Sequence, residues 1–348
     1  MGKKGVTLKD VAAVAGVSTS IVSRVLNGGG RVSPKTREAI LEAAQRLEFR
    51  PNALAQYFAL GRSFTVGLLT ENSTGIFSMP VIAGIASELS RHDVAAMMYD
   101  DGREGAARAE NIKKLRARHV DGVIVVGDGN EIPLRSVTAD FDVPVVYAHG
   151  ITDTDSDEVV VPDDLMAGRV AAEHLLAQGR KNIAYITAHR ASDAVAKRLE
   201  GADAVLQAAG VPVAENRREF GDWSGAWGYR AAERLHQADP TIDGIICGND
   251  VTALGAARYL VGNGIRVPED VALVGHDNWV KYSDSEAQFL TTIDPRLVDV
   301  GIAATDLLVR MINENPTDES VRRVPGELVL GYSSGAKGAP DEQQLPFV

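Results

Sequence analysis

The sequence predicts an all-α headpiece built around a helix-turn-helix, then a short hinge, then an α/β core of two doubly wound parallel-sheet subdomains. Helical spacing and capping residues fill the first 50 positions, whereas apolar runs typical of strands begin only after Phe64 and alternate with helical patterns. The 348 residues suit about two to three domains, and a hydrophobic content of 45% is enough for a large core.

The first predicted helix begins at Leu8. Thr7 is a favourable N-cap, and Asp10 stands three residues later, where it can complete a capping box. The positions of four apolar residues predict one buried face of this helix, formed by Leu8, Val11, Ala12 and Ala15. Gly16 supplies the left-handed residue that ends such a helix, and Ser18 caps the next helix after a very short turn. These signals predict the first two helices of a helix-turn-helix.

On the second predicted helix, Val22 and Val25 are expected to point inward. The outward positions hold short polar side chains and one arginine, at Thr19, Ser20, Ser23 and Arg24. Such a face suits the major groove of DNA, because small donors allow close approach and Arg24 can bond two acceptors of a guanine. Ser33 followed by Pro34 predicts the start of a third helix. An ordinary helical hairpin with a solvated polar face is the alternative.

The charge of the chain is divided unevenly. Residues 1–62 carry ten lysines and arginines against four aspartates and glutamates, a net charge of +6, whereas the whole chain carries −11. A basic headpiece on an acidic core is simple to explain if only one end of the protein meets phosphates. The charge therefore favours nucleic-acid binding over the solvated hairpin.

The sequence lacks the features of an exported, membrane or metal-binding protein. The N-terminal lysines are followed by no apolar stretch, and no run approaches a membrane span, so we expect a cytoplasmic protein without a membrane partner. Cys247 is the single cysteine and stands in an apolar run, which predicts a buried hydrophobe rather than a disulfide or a nucleophile. The seven histidines are scattered without ligand spacing, so neither a metal nor another cofactor is expected.

From Phe64 onward, apolar β-rich runs alternate with helical patterns, which indicates parallel sheets covered on both faces by helices. The predicted strands are Thr65–Leu69, Val94–Tyr99, Gly122–Val126, Val143–Tyr147, Val159–Val161, Ile183–Thr187, Gly244–Cys247, Val271–Val274 and Gly326–Leu330. The predicted helices are 79–91, 104–118, 164–178, 193–209, 225–238, 250–263 and 296–313. Two such blocks usually bind a ligand between them, outside the carboxyl ends of their strands.

The segment from Pro51 to Gly61 leaves room for a short helix, which is marginal in water unless something packs on it. We expect it to be a hinge that orders conditionally. The expected domains are a headpiece at 1–50, a hinge at 51–62, a core at 63–335 and a flexible tail at 336–348. Within the core, one subdomain is expected to combine about 63–162 with 293–321, and the other about 163–290 with 322–335.

Two segments carry a family resemblance. Residues 6–27 read VTLKDVAAVAGVSTSIVSRVLN and residues 31–56 read RVSPKTREAILEAAQRLEFRPNALAQ. They resemble, almost throughout, the DNA-binding headpiece and hinge of the lactose-repressor (LacI/GalR) family of bacterial transcription regulators. The core resembles the periplasmic-binding-protein-like effector domain of that family, so the resemblance covers about residues 4–335. Matching stretches in the core are Arg198–Gly201, Asp222–Ser224, Asn249–Gly255, Val274–Asp277 and Leu290–Ile293.

The resemblance implies a role toward DNA for several residues. The implied readers of base edges are Thr19, Ser20 and Arg24, and the implied phosphate contacts are Ser23, Asn27 and Ser33. The implied minor-groove residues of the hinge are Asn52, Ala55 and Phe58. Phe58 stands where the family commonly places a leucine that wedges into the centre of the operator. The implied partner is double-stranded operator DNA with an inverted repeat, bound by a homodimer. The tail has no heptads, so tetramers are not expected.

The resemblance also implies an effector site. Its residues are Arg198, Asp250, Trp223, His149, Ser73, Phe77 and His276. A guanidinium donates several hydrogen bonds, a carboxylate accepts from two hydroxyls, and an aromatic face covers the apolar side of a sugar ring. His149 and His276 depart from the acidic residue and the aromatic or apolar residue that many relatives have there. Asp250 as a helix cap, Arg198 as a solvated arginine and Trp223 as a core residue are the ordinary alternatives.

The resulting hypothesis is an effector-controlled transcription regulator, most simply a repressor, whose small ligand is a sugar or sugar derivative. The same DNA-binding protein controlled by a protein co-regulator is an open alternative. An enzyme is not expected. Val126-Gly127-Asp128-Gly129 follows a strand, but a complete glycine-rich dinucleotide motif, a Walker lysine and a nucleophile elbow are missing from the sequence. The basic headpiece and the expected lack of a signal peptide argue against an exported solute-binding protein.

Overall fold

The computed structural model describes residues 6–26, 32–49, 61–102, 107–129, 133–278, 289–314 and 320–335. These residues form a three-helix headpiece and an α/β core with two six-stranded sheets. The predicted fold class is confirmed for the headpiece and for the core. Most of the predicted hinge and the whole predicted tail lie outside the described residues.

Three helices form the headpiece: α1 at Leu8–Ala15, α2 at Thr19–Leu26 and α3 at Pro34–Arg46. The Asp10 carboxylate accepts hydrogen bonds from the backbone N–H of Thr7 at 2.8 Å and from the Thr7 hydroxyl at 2.7 Å. Gly16 ends α1 with a φ of 67°, in the left-handed region as predicted. Ser33 caps α3 by accepting from the backbone N–H of Thr36 at 3.2 Å. The helix boundaries therefore follow from local capping.

A small apolar core joins the three helices. It buries Val11, Ala12, Val22, Val25, Ile40, Ala43 and Ala44. The inward orientation predicted for Val22 and Val25 is confirmed. The burial predicted for Leu8 is wrong, since this side chain is 36% exposed. Leu8 opens α1, and the buried contacts of that helix begin one turn later, at Val11.

The first core sheet contains six strands whose pairings are all parallel. They are β1 (Thr65–Thr70), β2 (Ala95–Asp100), β3 (Gly122–Val126), β4 (Val145–Ala148), β5 (Glu158–Pro162) and β11 (Val321–Val324). Their spatial order is β11-β5-β4-β3-β1-β2. The accompanying helices are α4 (Ser78–Arg91), α5 (Arg108–Ala117) and α10 (Leu297–Ile312). Helices on the faces of a parallel sheet explain why its central strands are apolar throughout.

The second core sheet also contains six strands. They are β6 (Ile183–Thr187), β7 (Arg218–Phe220), β8 (Gly244–Cys247), β9 (Ala272–His276), β10 (Thr291–Asp294) and β12 (Glu327–Val329). Their order is β12-β10-β9-β8-β6-β7, and β12 runs antiparallel to β10. The accompanying helices are α6 (Asp164–Ala177), α7 (Asp193–Ala208), α8 (Gly225–Ala238) and α9 (Asp250–Gly262). The described helices are too short or too polar to span a membrane.

The chain passes between the two sheets three times, from β5 into α6, from β10 into α10 and from β11 into β12. β10 belongs wholly to the second sheet and β11 wholly to the first. The last two crossings therefore lie between residues 294 and 297 and between residues 324 and 327, a few positions later than the expected boundaries. The strands β7, β10 and β11 were not among the predicted ones, since each is short and is defined by its pairing.

Reciprocal glycines set the distance between three pairs of helices. The glycines are Gly84 and Gly301 between α4 and α10, Gly168 and Gly201 between α6 and α7, and Gly228 and Gly255 between α8 and α9. A Cβ atom on any of these glycines would lie only 1.9–2.1 Å from a backbone oxygen of the facing helix. The two backbones of each pair are therefore in direct contact, which only glycine permits.

Candidate functional site

The predicted base-reading residues lie on one face of α2. The exposed side chains of this face are Thr19, Ser20 and Arg24. Ser23 beside them is half-buried, and Val22 and Val25 fix the opposite face of α2 in the headpiece core. A helix that enters the major groove needs this division between a packed face and an exposed polar face.

The other predicted DNA contacts divide into two groups. Ser33 is exposed at the start of α3, where its hydroxyl also lies 2.8 Å from the hydroxyl of Thr36. A hydroxyl at the start of a helix is well placed for a phosphate, because backbone N–H groups and the helix dipole favour negative charge there. The residues Asn27, Asn52, Ala55 and Phe58 lie outside the described part of the chain.

A cavity of about 680 Å³ lies between the two core sheets. Asp128 and His149 reach its wall from the residues after β3 and β4 of the first sheet. Gly248 and His276 reach it from the ends of β8 and β9 of the second sheet. The cavity thus occupies the position where doubly wound sheets hold ligands, and its volume is typical of small-molecule sites.

Arg198 lies on the cavity wall with two of its donors already engaged. Its Nε donates to the Asp164 carboxylate at 2.7 Å, and its Nη1 donates to the backbone carbonyl of Gly248 at 2.8 Å. The arginine side chain keeps an exposed fraction of 21%, against 6% for Asp164. α7 therefore presents an oriented guanidinium, held by a carboxylate from α6, to the space between the sheets.

Two aromatic residues of the predicted effector site also line the cavity, Phe77 from the first subdomain and Trp223 from the second. The Phe77 ring lies 5.8 Å from the ring of His149, centroid to centroid, at an interplanar angle of 41°. The backbone carbonyl of Trp223 accepts from the Asn249 side chain at 3.3 Å. Aromatic faces on both sides suit a ligand with apolar ring faces, such as a sugar.

Two predicted effector residues do not line the cavity. Ser73 lies beside it and donates its backbone N–H to the Asp100 carboxylate at 2.9 Å. The Asp250 side chain is buried, with 1% exposure of the residue, and accepts from the hydroxyl of Thr292 at 2.6 Å. Asp250 opens α9, but Asn249 is the residue that caps this helix. In this conformation Asp250 supports the cavity wall from within rather than forming it.

His149 and His276 face the cavity from opposite subdomains, and both are more than nine-tenths buried. Burial lowers the pKa of His149 below its usual value, although the nearby carboxylates of Asp164, Asp128 and Asp277 oppose this shift. The ring of His149 is therefore neutral at pH 7. His149 has a φ of 58° and Asp277 a φ of 102°, so both subdomains place a non-glycine residue with left-handed backbone at the cavity.

Sequence reasoning missed several polar residues of the wall, among them Asp128, Asp164, Ser192 and Asp277. Asp128 follows an apolar strand and was considered only in connection with an enzyme motif. The rule that ligands lie at the carboxyl ends of parallel strands points to Asp128 and Asp277. No comparable signal marks Asp164, because its position depends on the contact between α6 and α7.

Other chemically reactive residues lie away from the cavity. Cys247 is 2% exposed, and burial raises the pKa of its thiol, so the prediction of a buried hydrophobe is confirmed. Glu88, His92 and Asp306 bring potential metal-binding atoms within 4.8 Å of one another on α4 and α10. The sequence did not predict this group, because Asp306 is more than 200 residues away from Glu88 and His92 along the chain. Contacts of His92 Nε2 with a carboxylate oxygen of Glu88 at 3.4 Å and of Asp306 at 3.8 Å account for the arrangement.

Comparison with known proteins identifies the family. Residues 7–52 match the family described as "Bacterial regulatory proteins, lacI family". Residues 63–330 match "Periplasmic binding proteins and sugar binding domain of LacI family". The chain belongs to the LacI family. Its headpiece is therefore that of a DNA-binding transcription regulator, and its core is the ligand-binding domain of such a regulator.

Individual relatives extend along almost the whole chain. The HTH-type transcriptional regulator CelR of Thermobifida fusca is 33% identical over 336 residues, which cover 94% of this chain and 98% of CelR. Catabolite control protein A of Priestia megaterium is 30% identical over 331 residues, which cover 94% and 99%. That the relatives regulate transcription agrees with the expectation that this LacI-family chain is not an enzyme.

Solved structures show the same fold. The lac repressor dimer bound to operator and the anti-inducer ONPF matches with a TM-score of 0.72 and 27% identity, covering 95% of this chain and 99% of that one. The complex of the transcriptional regulator CelR with cellobiose matches with a TM-score of 0.63 and 29% identity, covering 94% and 99%. Both matches extend along almost the whole of this chain and of the matched chain.

Proposed function

We propose that this LacI-family protein is a transcriptional repressor that binds an inverted-repeat operator as a homodimer and responds to a small, polyhydroxylated effector. The effector is a sugar or sugar derivative that occupies the cavity between the two core sheets. The observation that carries the proposal is the composition of the cavity wall. It contains the guanidinium of Arg198, and both subdomains contribute an aromatic residue and carboxylates.

The headpiece supports the DNA-binding half of the proposal. Arg24 and the small hydroxyl side chains next to it are exposed on a helix whose other face is packed. The net charge of +6 on residues 1–62 supplies the attraction to phosphates that the acidic core does not. We assign base reading to Thr19, Ser20 and Arg24, and phosphate contacts to Ser23 and Ser33.

The cavity supports the effector half. Arg198 lines it with a guanidinium that Asp164 and the Gly248 carbonyl hold in place, and Trp223 and Phe77 are aromatic residues of its wall. A relative binds cellobiose, and lac repressor binds ONPF as an anti-inducer, as the descriptions of their structures state. A small ligand in the cavity explains the arrangement of the wall, whereas a protein co-regulator gains no support from these relatives.

Control of operator affinity requires that the ligand prefers one arrangement of the two subdomains. A ligand between the sheets touches both subdomains at once, so it stabilises the arrangement in which both sets of contacts are made. Coupling free energies between such sites are typically about 1–3 kcal/mol, which corresponds to a change in operator affinity of roughly 5- to 150-fold.

The DNA-binding half is tested by selecting binding sites from random duplex DNA with the full chain. We expect an inverted repeat, bound by a dimer, with an affinity that falls steeply as the salt concentration rises. Recovery of single half-sites or of no consensus contradicts the proposed operator. Sedimentation of the protein–DNA complex decides between a dimer and other assemblies.

The effector half is tested by calorimetry and operator binding with Arg198→Ala and Asp250→Ala, using a sugar that raises the melting temperature of the wild-type protein. Arg169→Ala is the matched control, since this arginine of α6 is exposed and outside the cavity wall. We expect both variants to bind operator and to lose the response to the sugar, Arg198→Ala because a donor of the wall is removed and Asp250→Ala because the wall loses the buried carboxylate that supports it. Wild-type sugar affinity in either variant removes that residue from the site.

A further inference from the structure

The contact between α4 and α10 brings a histidine and two carboxylates together, away from the cavity. Gly84 and Gly301 hold the two backbones in contact, since a Cβ atom on either would lie 2.0 Å or 2.1 Å from a backbone oxygen of the other helix. Glu88 and Asp306 stand about one turn further along their helices, and His92 follows Glu88 by another turn. The close helix contact therefore places these three side chains in one small region.

The potential ligand atoms of this group have the spacing that a small metal ion requires. One such atom from each of Glu88, His92 and Asp306 lies within 4.8 Å of the other two. Nε2 of His92 is 3.4 Å from a carboxylate oxygen of Glu88 and 3.8 Å from one of Asp306. These distances exceed the usual 2.7–3.2 Å of a hydrogen bond. They are near the separation of roughly 3.3 Å between ligands that surround a tetrahedral metal ion at about 2.0–2.1 Å.

Glu88 differs from the other buried carboxylates in its partners. Its side chain is 9% exposed, and among the described residues its carboxylate meets only His92 at 3.4 Å and Arg91 at 3.5 Å, without a hydrogen bond. The buried aspartates of the described chain each accept a hydrogen bond of 3.0 Å or less, and they are Asp101, Asp157, Asp164, Asp250 and Asp294. Buried charges in proteins are closely paired or coordinate metal ions. Glu88 lacks the close pairing, which points to a bound cation.

The surroundings of Glu88 allow such a cation to enter. The side chains of His92 and Asp306 are 37% and 44% exposed, so the group is open to solvent on the side opposite Glu88. The guanidinium of Arg91 belongs to a side chain that is 77% exposed, and it can turn into the solvent when a cation binds. Attraction between His92 and the two carboxylates is enough to assemble the group, and a metal ion can then replace these longer contacts with direct bonds.

The ligand types decide which ions fit. An imidazole nitrogen with carboxylate oxygens suits Zn²⁺ and the neighbouring first-row divalent ions. Mg²⁺ and Ca²⁺ prefer sites made entirely of oxygen ligands. The donor set of Glu88, His92 and Asp306 therefore favours zinc-like ions over the alkaline-earth ions.

We propose that Glu88, His92 and Asp306 form a binding site for Zn²⁺ or a similar first-row divalent ion, with water at the remaining coordination positions. The site joins α4 to α10 one turn beyond their glycine contact and is separate from the effector cavity and from the headpiece. The sequence-based expectation that no metal is bound does not hold under this proposal. That expectation considered the spacing of histidines, whereas this group pairs one histidine with carboxylates.

Metal binding is tested by calorimetry on the full chain without an affinity tag, using zinc chloride, cobalt chloride and magnesium chloride as separate probes. We expect one Zn²⁺ or Co²⁺ per chain, bound at least tenfold more tightly than Mg²⁺. Zn²⁺ should also raise the melting temperature, because an ion that binds only the folded core stabilises it. The absence of zinc binding, or equal affinity for Zn²⁺ and Mg²⁺, overturns the proposal and leaves the proposed function intact.

Variants then locate the site. His92→Gln and Asp306→Asn alter partly exposed side chains, and Glu88→Gln keeps the shape of the buried one. We expect each to weaken zinc binding at least tenfold while the melting temperature without metal changes little for the two exposed positions. His119→Gln is the matched control, because His119 is exposed and outside the group.

The visible absorption of bound Co²⁺ reports on the ligands themselves. We expect the wild-type protein and His119→Gln to give the same Co²⁺ spectrum, and His92→Gln to lose it. Wild-type zinc affinity or an unchanged Co²⁺ spectrum in His92→Gln overturns the site, because surface carboxylates alone would then hold the ion.

Discussion

The headpiece and the cavity present polar side chains in opposite ways. The face of α2 is exposed, carried by a basic segment and contained in the eight residues Thr19–Leu26. The cavity wall is buried, rich in carboxylates and assembled from residues as distant in sequence as Asp128 and His276. A substitution in the headpiece should therefore act on one function, whereas a substitution in the core can reach the cavity through packing alone.

The largest expected effect tests that dependence on packing. Gly201→Ala places a Cβ atom 2.0 Å from the backbone oxygen of Leu165, at the crossing that positions Arg198 against Asp164. We expect the free energy of unfolding of the core to fall by about 3 kcal/mol and sugar binding to be lost, although Gly201 does not touch the cavity. Chemical denaturation and calorimetry measure the two effects.

Gly262→Ala is the matched control, since no atom lies within 4 Å of its added Cβ. This variant should be more stable than the wild type by roughly 0.5–1 kcal/mol, because alanine loses less backbone entropy in a helix. Equal stability of the two variants would contradict the tight crossing between α6 and α7, and with it the proposed route from packing to the cavity.

A smaller and more local effect is expected in the headpiece. Arg24→Ala should reduce specific operator affinity by about 1–3 kcal/mol and relax the preference at one base pair of each half-site. Unfolding of the core should not change. Fluorescence anisotropy with operator and random duplexes measures the ratio, and Arg46→Ala, exposed on α3, is the control. An unchanged ratio of operator to random binding in Arg24→Ala contradicts base reading by this residue.

The smallest expected effect is a pH dependence of stability that the core shows and the headpiece does not. Burial lowers the pKa of His149 and of His174, so the unfolded chain binds protons below about pH 6.5 that the folded core does not. The stability of the core should be complete above about pH 6.5 and should decline below it, by up to about 1.4 kcal/mol per pH unit for each histidine.

The headpiece supplies the comparison for this pH effect, because residues 1–62 contain none of the seven histidines. Urea denaturation at pH 7.5, 6.5 and 5.5 should therefore shift the core transition and leave the headpiece transition in place. His149→Gln combined with His174→Gln should flatten the dependence, whereas His189→Gln should preserve it. Parallel shifts of both transitions contradict the assignment to buried histidines.

The sequence predicted the headpiece better than the cavity for a physical reason. Capping by Thr7 and Asp10, the left-handed Gly16 and the inward valines of α2 are decided within a few residues of chain. Leu8 is the exception, because a periodic pattern does not show where the neighbouring helices end. The alternation of strands and helices in the core was equally visible, since each parallel strand is a local apolar run.

The parts that escaped prediction depend on distant partners. Val321–Val324 contains two arginines and becomes a strand only because it pairs with β5. At the first turn of α9, the sequence allows Asp250 to face either the cavity or the protein interior. It faces the interior because its carboxylate accepts a hydrogen bond from the hydroxyl of Thr292. Asp164 joins the wall through the ion pair with Arg198, which no sequence spacing reveals.

The three crossings between the sheets have a mechanical consequence. Any rotation of one subdomain against the other would have to bend these crossings, one of which contains Arg296 with a φ of 54°. If the closed form occupies about 1% of the free protein, the apparent ligand affinity is about a hundredfold below the intrinsic one. A substitution of Arg296, which is not among the lining residues of the cavity, is therefore expected to change ligand affinity and operator affinity together.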